Sequence, residues 1–258
     1  MTLVNHEQHD AVAIVTLNRP EKLNSLTREM ILALSDLFRQ FASATDLRVV
    51  ILTGSGERAF CVGTDISELA NSDQNEALNV SKRGQDLCDL IEQCPVPVIG
   101  AINGLAVGGG CELALACHMR LAAANARFSL PEIKLGIMPG YGGTQRMPRE
   151  IGISRALEMM LGGRELSAGE AEKLGVINRS VDSTNLMTEA RSLAAAVANL
   201  APLAIRACLQ SVRRGMELPL EQGLALEAQL FAGLFETADM REGTRAFLEK
   251  RAPVFEGK

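Results

Sequence analysis

Two glutamates stand where the surrounding residues are apolar. Glu112 follows Gly108-Gly109-Gly110-Cys111 and opens the run Leu113-Ala-Leu-Ala-Cys117. Glu132 comes twenty residues later, between Pro131 and Ile133, ahead of Met138-Pro-Gly-Tyr-Gly-Gly-Thr-Gln-Arg146. Three consecutive glycines remove every Cβ where a ligand or a second backbone must come close. They also leave amide N–H groups pointing outward at a helix N-terminus, a place that favours developing negative charge. The chemistry these types suit is the handling of such charge beside an interior carboxylate. Taken singly, the glycines could serve only tight helix packing, Glu112 could complement the helix dipole, and Glu132 could be an ordinary loop acid.

The elements that would hold these residues can be read from spacing. Val98 to Ile102 is a β-branched run and reads as a buried strand, Asn103-Gly104 as a turn, and Glu112 to Cys117 as a helix entered through the glycines. Upstream, Ala11 to Leu17 is a strand closed by Asn18-Arg-Pro20. Thr27 caps a helix reaching about Ala44, with Met30, Ile31, Leu34, Leu37, Phe38 and Phe41 at helical intervals. A second strand, Arg48 to Thr53, runs into Gly54-Ser-Gly56-Glu-Arg-Ala59. That stretch matches the dinucleotide pattern G-x-G-x-x-A, but no helix opens after it. The loop continues through Phe60-Cys-Val-Gly63-Thr64-Asp65, and helical character returns at Ile66-Ser-Glu-Leu69.

Asn71 to Asn79 is polar and reads as a surface segment. A helix starting near Glu76 or Val80 reaches Gln93, where Pro95 and Pro97 end it. Met119 to Ala123 and Ala126 to Leu130 are short strands, and Thr144 is a candidate cap for a short helix. From Ile153 onward the chain is mainly helical, with short β-like runs at Val176-Ile177 and Ser180-Val181. The segment from Leu220 to Phe235 is apolar round more than one face, as expected of a helix sandwiched against another subunit.

Composition removes several classes. A net charge of −5 over 258 residues gives no support to a nucleic-acid surface. The N-terminus lacks a basic region followed by an apolar core, and no run has the roughly 18 apolar residues of a spanning helix, so a cytoplasmic protein is expected. The six cysteines form no C-x-x-C pair and read as reduced core residues, without disulfides or zinc. His6 and His9 form an H-x-x-H near a terminus read as loose, and His118 reads as satisfied structure. With three histidines and no G-x-S-x-G elbow, a serine hydrolase has little to stand on.

Three separated features remain: Ala59-Phe-Cys61-Val-Gly63-Thr64-Asp65, Gly108-Gly-Gly-Cys-Glu112 and Pro131-Glu132. In order, spacing and type they resemble the crotonase (enoyl-CoA hydratase/isomerase) superfamily, most closely its short-chain enoyl-CoA hydratases. The resemblance runs from Asn18-Arg-Pro20 to Phe247-Leu-Glu-Lys-Arg251. It implies an α/β fold: a spiral of β-β-α turns over residues 1–200, then a C-terminal helical region, 201–258, that builds trimers and often hexamers. It further implies that the amides of Thr64 and Gly109 form an oxyanion hole, that Glu112 is mainly the base and Glu132 mainly the proton donor, and that Gly140 helps seat the water.

By the same resemblance, Lys22, Leu23, Cys61, Asp65 and Ile66 fall along the adenosine and pantetheine path, while Phe231, Phe247 and Lys250 reach a neighbour's ligand. Many hydratases have a lysine where Ser67 stands, and frequently an alanine where Thr64 stands. No metal or redox cofactor is implied, coenzyme A being part of the substrate. Other readings are an enoyl-CoA isomerase, a hydratase-lyase on a branched or aromatic acyl-CoA, or a non-catalytic acyl-CoA or RNA binder. The paired acids favour hydration, while acidic charge and a single tyrosine disfavour RNA.

Overall fold

The computed structural model describes residues 2–70 and 72–258. The chain opens with a hairpin, β1 (Val4–His9) and β2 (Val12–Leu17), followed by α1 (Arg28–Ser43). Then β3 (Val49–Gly54) and β4 (Ala59–Cys61) lead to α2 (Ile66–Leu69) and α3 (Gln74–Glu92). The pair β5 (Val98–Ile102) and β6 (Leu105–Val107) leads to α4 (Gly109–Ala116). The pair β7 (Met119–Ala123) and β8 (Arg127–Ser129) leads to α5 (Gly143–Ile151) and α6 (Ile153–Leu161). After them come β9 (Leu166–Ser167), α7 (Ala168–Leu174), β10 (Arg179–Val181), α8 (Leu186–Ala198), α9 (Pro202–Gly215), α10 (Leu220–Leu234) and α11 (Ala238–Glu249).

Strands of each pair go to different sheets. One sheet has the order β1-β2-β3-β5-β7-β10 and the other β4-β6-β8-β9. Only β1 and β9 run antiparallel to their neighbours. This is the spiral of β-β-α turns that the motifs imply.

Every residue of β3 and β5 is buried, which explains their unbroken apolar runs: both faces are covered. Val50 and Leu52 face the main core, whereas Val49 and Ile51 join Ile99, Ala101 and Leu121 beneath Leu186, Ala190 and Ala194 of α8. The α1 helix begins where Thr27 Oγ1 accepts the Met30 N–H at 3.3 Å, and it buries Met30, Ile31, Leu34, Phe38 and Phe41.

Several boundaries differ from the sequence reading. The N-terminus is an ordered strand, so His6 and His9, three apart, point to opposite faces and cannot share a metal. His6 instead packs on the Phe41 ring at 5.4 Å. The turn at Asn103-Gly104 is followed by β6, which pattern reading missed because only three residues pair. Val176-Ile177 is buried but lies outside the strands. The α3 helix starts at Gln74, capped by Asp73, which turns most of the polar Asn71 to Asn79 segment helical; Asn71 itself lies outside the described residues. Gly142, at φ +108°, precedes α5, leaving Thr144 inside the helix rather than at its cap.

His118 is structural as expected: Nδ1 accepts the Val98 N–H at 2.9 Å, and burial pushes the ring down to about 4, leaving it neutral. All six cysteines are free, and only Cys208 is exposed. Among the described residues no single helix is long and apolar enough to cross a membrane.

Candidate active site

Helix α4 is apolar on all sides and buried throughout, which is why it can drive a carboxylate inside. Its entry needs three residues without side chains for three separate reasons. A Cβ on Gly110 would strike the Cys61 carbonyl, so that glycine lets α4 abut β4. Gly108 has φ +55°, and a Cβ there would stand 2.8 Å from Glu132 Oε1. Gly109 is the first helical residue, so its N–H has no partner within the helix. The helix therefore begins at Gly109, earlier than the apolar pattern alone suggested.

Beside Gly109 lies the loop after β4. Gly63 has φ +85°, and a Cβ on it would sit 2.8 Å from the Gly109 nitrogen. The Leu26 N–H donates to the Gly63 carbonyl at 2.7 Å, and the Asp65 N–H to the Leu26 carbonyl at 2.9 Å. These two bonds fix the peptides on either side of Thr64 while leaving its own N–H unengaged among the described residues. Thr64 and Gly109 thus present two free donors from adjoining backbones, the arrangement suited to an oxyanion.

Glu112 is 1% exposed. Its Oε1 accepts the Tyr141 N–H at 2.8 Å and the Gly143 N–H at 2.6 Å. A Cβ on Gly143 would stand 2.9 Å from the carboxylate, so this glycine too makes room for an acid. Burial raises the Glu112 carboxyl to about 7, the Gly143 and Tyr141 amides opposing and Glu132 reinforcing the rise. Glu132 occupies a short 3-10 turn, Glu132–Leu135, and burial raises it also. Its Oε2 is buried without a hydrogen-bond partner among the described residues, whereas Glu112 has two donors. The donors favour the ionised form at Glu112, while at Glu132 burial outweighs a backbone hydrogen bond and favours the protonated form.

Both acids, both free amides and Gly140 line one cavity of about 540 Å³. Its remaining wall is mostly apolar, with Val62, Leu69, Val80, Val107, Leu135 and Ile137 among its residues. Such a pocket fits an apolar chain led past a small polar centre.

The residues expected along the coenzyme path are more scattered. Ile66 lines the cavity and is 53% exposed. Asp65 caps α2, and Ser67 together with Arg19, 2.6 Å away, holds its carboxyl down at about 2. Lys22 is exposed and Leu23 half-buried, in a left-handed conformation just after a 3-10 turn; neither lines the cavity. Cys61 corrects the sequence reading: its side chain is fully buried, with the Gly63 N–H donating to its Sγ, so its thiol cannot line a ligand path. Phe231, Phe247 and Lys250 lie outside the cavity lining, the two rings 62% and 83% exposed.

Sequence reasoning missed Tyr141 and Arg146. The Tyr141 hydroxyl accepts from Thr64 Oγ1 at 2.7 Å, and Arg146 donates to the Tyr141 carbonyl at 3.1 Å while pairing with Glu92 and Asp89. The signal available was a lone tyrosine set among Gly140, Gly142 and Gly143, followed by a cation.

The raised Glu112 has a thermodynamic consequence. Between about pH 4.5 and 7 the folded chain keeps a proton that the unfolded chain has released, so stability falls as pH rises through that window. Glu112→Gln retains an oxygen for both amides and cannot ionise. Thermal melts across this range should show the midpoint declining in the wild type and a flatter profile in the variant.

A spiral of paired strands carrying two acids and two free amides in one cavity defines a class of proteins, and this chain belongs to it: the enoyl-CoA hydratase/isomerase family. The family model of that description matches residues 7–258. The chain is 37% identical to the short-chain-enoyl-CoA hydratase of Clostridium acetobutylicum, over 95% of this chain and 94% of that protein. It is 41% identical to the (E)-benzylidenesuccinyl-CoA hydratase of Thauera aromatica, over 98% and 99%. The crystal structure of an enoyl-CoA hydratase from Bacillus anthracis superposes with a TM-score of 0.97, at 38% identity and over the whole of both chains.

Proposed function

We propose that the protein is an enoyl-CoA hydratase, adding water to a 2-trans-enoyl-CoA to give a 3-hydroxyacyl-CoA in the degradation of fatty or related acyl-CoAs. The observation that carries this reading is the meeting of Glu112 and Glu132 in one apolar cavity beside the free amides of Thr64 and Gly109. In the reaction, Glu112 takes a proton from water as its oxygen bonds to C3. The C2=C3 electrons move toward the thioester, whose oxygen receives the charge between the two N–H donors. Glu132 then delivers its proton to C2, and the carbonyl reforms. Every electron pair is supplied by water and substrate, so the chemistry calls for no redox cofactor.

An isomerase needs only to move one proton between carbons, so two acids on one pocket favour hydration. Incubating the protein with 2-enoyl- and 3-enoyl-CoA thioesters and identifying the products tests this. A 3-hydroxyacyl-CoA formed from the 2-enoyl substrates supports hydration. Double-bond migration without added water would replace hydratase with isomerase.

Two acids in one dry site share a proton over a range of pH, so the pair titrates in two steps. The proposed mechanism uses the singly protonated pair. Turnover should therefore rise as the first proton leaves and fall as the second does, giving a bell-shaped kcat/KM; a profile flat on both limbs contradicts the shared roles.

The catalytic core is the spiral up to residue 200, and residues 201–258 are the oligomerisation region. Helices α9 and α10 bury no residue, and Leu220, at 77% exposed, joins Phe231 in an apolar face that a second subunit would cover. The expected state is a trimer or a hexamer of paired trimers in the cytoplasm, with Phe231, Phe247 and Lys250 near a neighbour's ligand. Light scattering at micromolar concentration should give three or six chain masses, and a monomer contradicts it.

A further inference from the structure

Tyr141, the single tyrosine of the chain, stands at the centre of this site with no part in the scheme above. Its phenol oxygen meets Thr64 Oγ1 at 2.7 Å, and its backbone N–H meets Glu112 Oε1 at 2.8 Å. The ring is 4% exposed and lies between two glycines. A Cβ on Gly109 would stand 3.1 Å from ring carbons, and a Cβ on Gly84 would run into the ring. Gly84 sits inside α3 without a positive φ, where glycine is a poor helix former. Its missing side chain leaves room for the Tyr141 ring.

Thr64 and Tyr141 are 77 residues apart in sequence. Their bond ties the loop carrying one free amide to the loop whose amides hold Glu112. Burial first, and the neighbouring Glu112 among lesser causes, pushes the phenol up to about 12, so the bond joins two neutral hydroxyls and Tyr141 is no base at neutral pH. We infer that the Thr64–Tyr141 hydroxyl pair sets the separation between the oxyanion donors and the Glu112 carboxylate, which makes Tyr141 a positioning residue for the hydration proposed above, on which this inference rests. Attack at C3 and charge on the thioester oxygen occur on one short rigid fragment, so the two groups that serve them must be held in register.

The test compares wild type, Tyr141→Phe, Thr64→Val and the double variant, measuring crotonyl-CoA hydration and thermal midpoint for each. Each single change should lower kcat about tenfold with KM little altered, since substrate contacts remain while register loosens. Both remove the same bond, so the double variant should be no slower than the slower single. Thr64→Ser, which restores a hydroxyl, should regain rate lost in Thr64→Val.

Stability separates positioning from mere structure. Thr64→Val leaves the buried Tyr141 hydroxyl unpaired and should melt earlier, whereas Tyr141→Phe leaves only the half-buried Thr64 hydroxyl at the cavity wall; the double leaves neither and should recover the midpoint lost in Thr64→Val while its rate stays low. A wild-type kcat in Tyr141→Phe, losses that multiply in the double, or a rate that recovers together with the midpoint overturns the inference alone. Wild-type protein inert toward every 2-enoyl-CoA overturns the proposed function and this inference with it.

Discussion

Glu132→Gln is expected to reduce turnover of a short 2-enoyl-CoA by about 10³-fold, within the range a positioned acid or base contributes. Glutamine has the same shape, and Gly108 beneath it still leaves room, so the cavity should keep its form. What is lost is the proton destined for C2. Binding of the thioester draws on the apolar wall and the coenzyme portion, so KM should change little. Glu112→Gln should cost a similar amount by removing the proton acceptor. The two acids act on one water and one carbon–carbon bond, so the double variant should be little worse than either single. Rapid-quench or absorbance kinetics on crotonyl-CoA measures all three, and a near wild-type kcat in either single variant contradicts the assignment.

The second large effect is expected from Gly63→Ala, a change of one methyl group. At φ +85° any Cβ is strained, at roughly 1–2 kcal/mol. The heavier consequence is steric, because that Cβ would lie 2.8 Å from the Gly109 nitrogen and 3.0 Å from the Val107 carbonyl oxygen. Neither neighbour is a flexible side chain, so backbone must move, and the backbone that moves carries a proposed oxyanion donor. Displacing one such donor costs about 3 kcal/mol, or about 10²-fold in kcat. A saturated acyl-CoA, which develops no enolate charge, should still bind the variant nearly as well as the wild type. Full catalytic rate in Gly63→Ala would show that these amides do not carry the charge.

Much of this site was legible because its parts are short and local. Glu112 with its glycines, and Glu132 with its proline, each occupy one uninterrupted motif, and an acid inside an apolar run stands out by type alone. The long strands β3 and β5 were readable for the same reason: burial on both faces leaves a continuous apolar signature. What escaped depends on partners distant in sequence. The β1 strand is polar on its exposed residues and exists by pairing with β2. The three residues of β6 become a strand only between β4 and β8. Cys61 looked available because its motif borders the site, yet strand geometry turns its thiol into the core. Thr64 entered the sequence reading only through its amide, and its hydroxyl acquires meaning through Tyr141, which no local pattern connects to it.

The measurement that bears most directly on the central claim is the absorbance of the conjugated thioester when purified wild-type protein is mixed with crotonyl-CoA, run beside Glu132→Gln. Rapid loss is expected in the wild type as the double bond takes up water, and almost none in the variant. Unchanged absorbance with wild-type protein, while crotonyl-CoA is shown to bind, would contradict it.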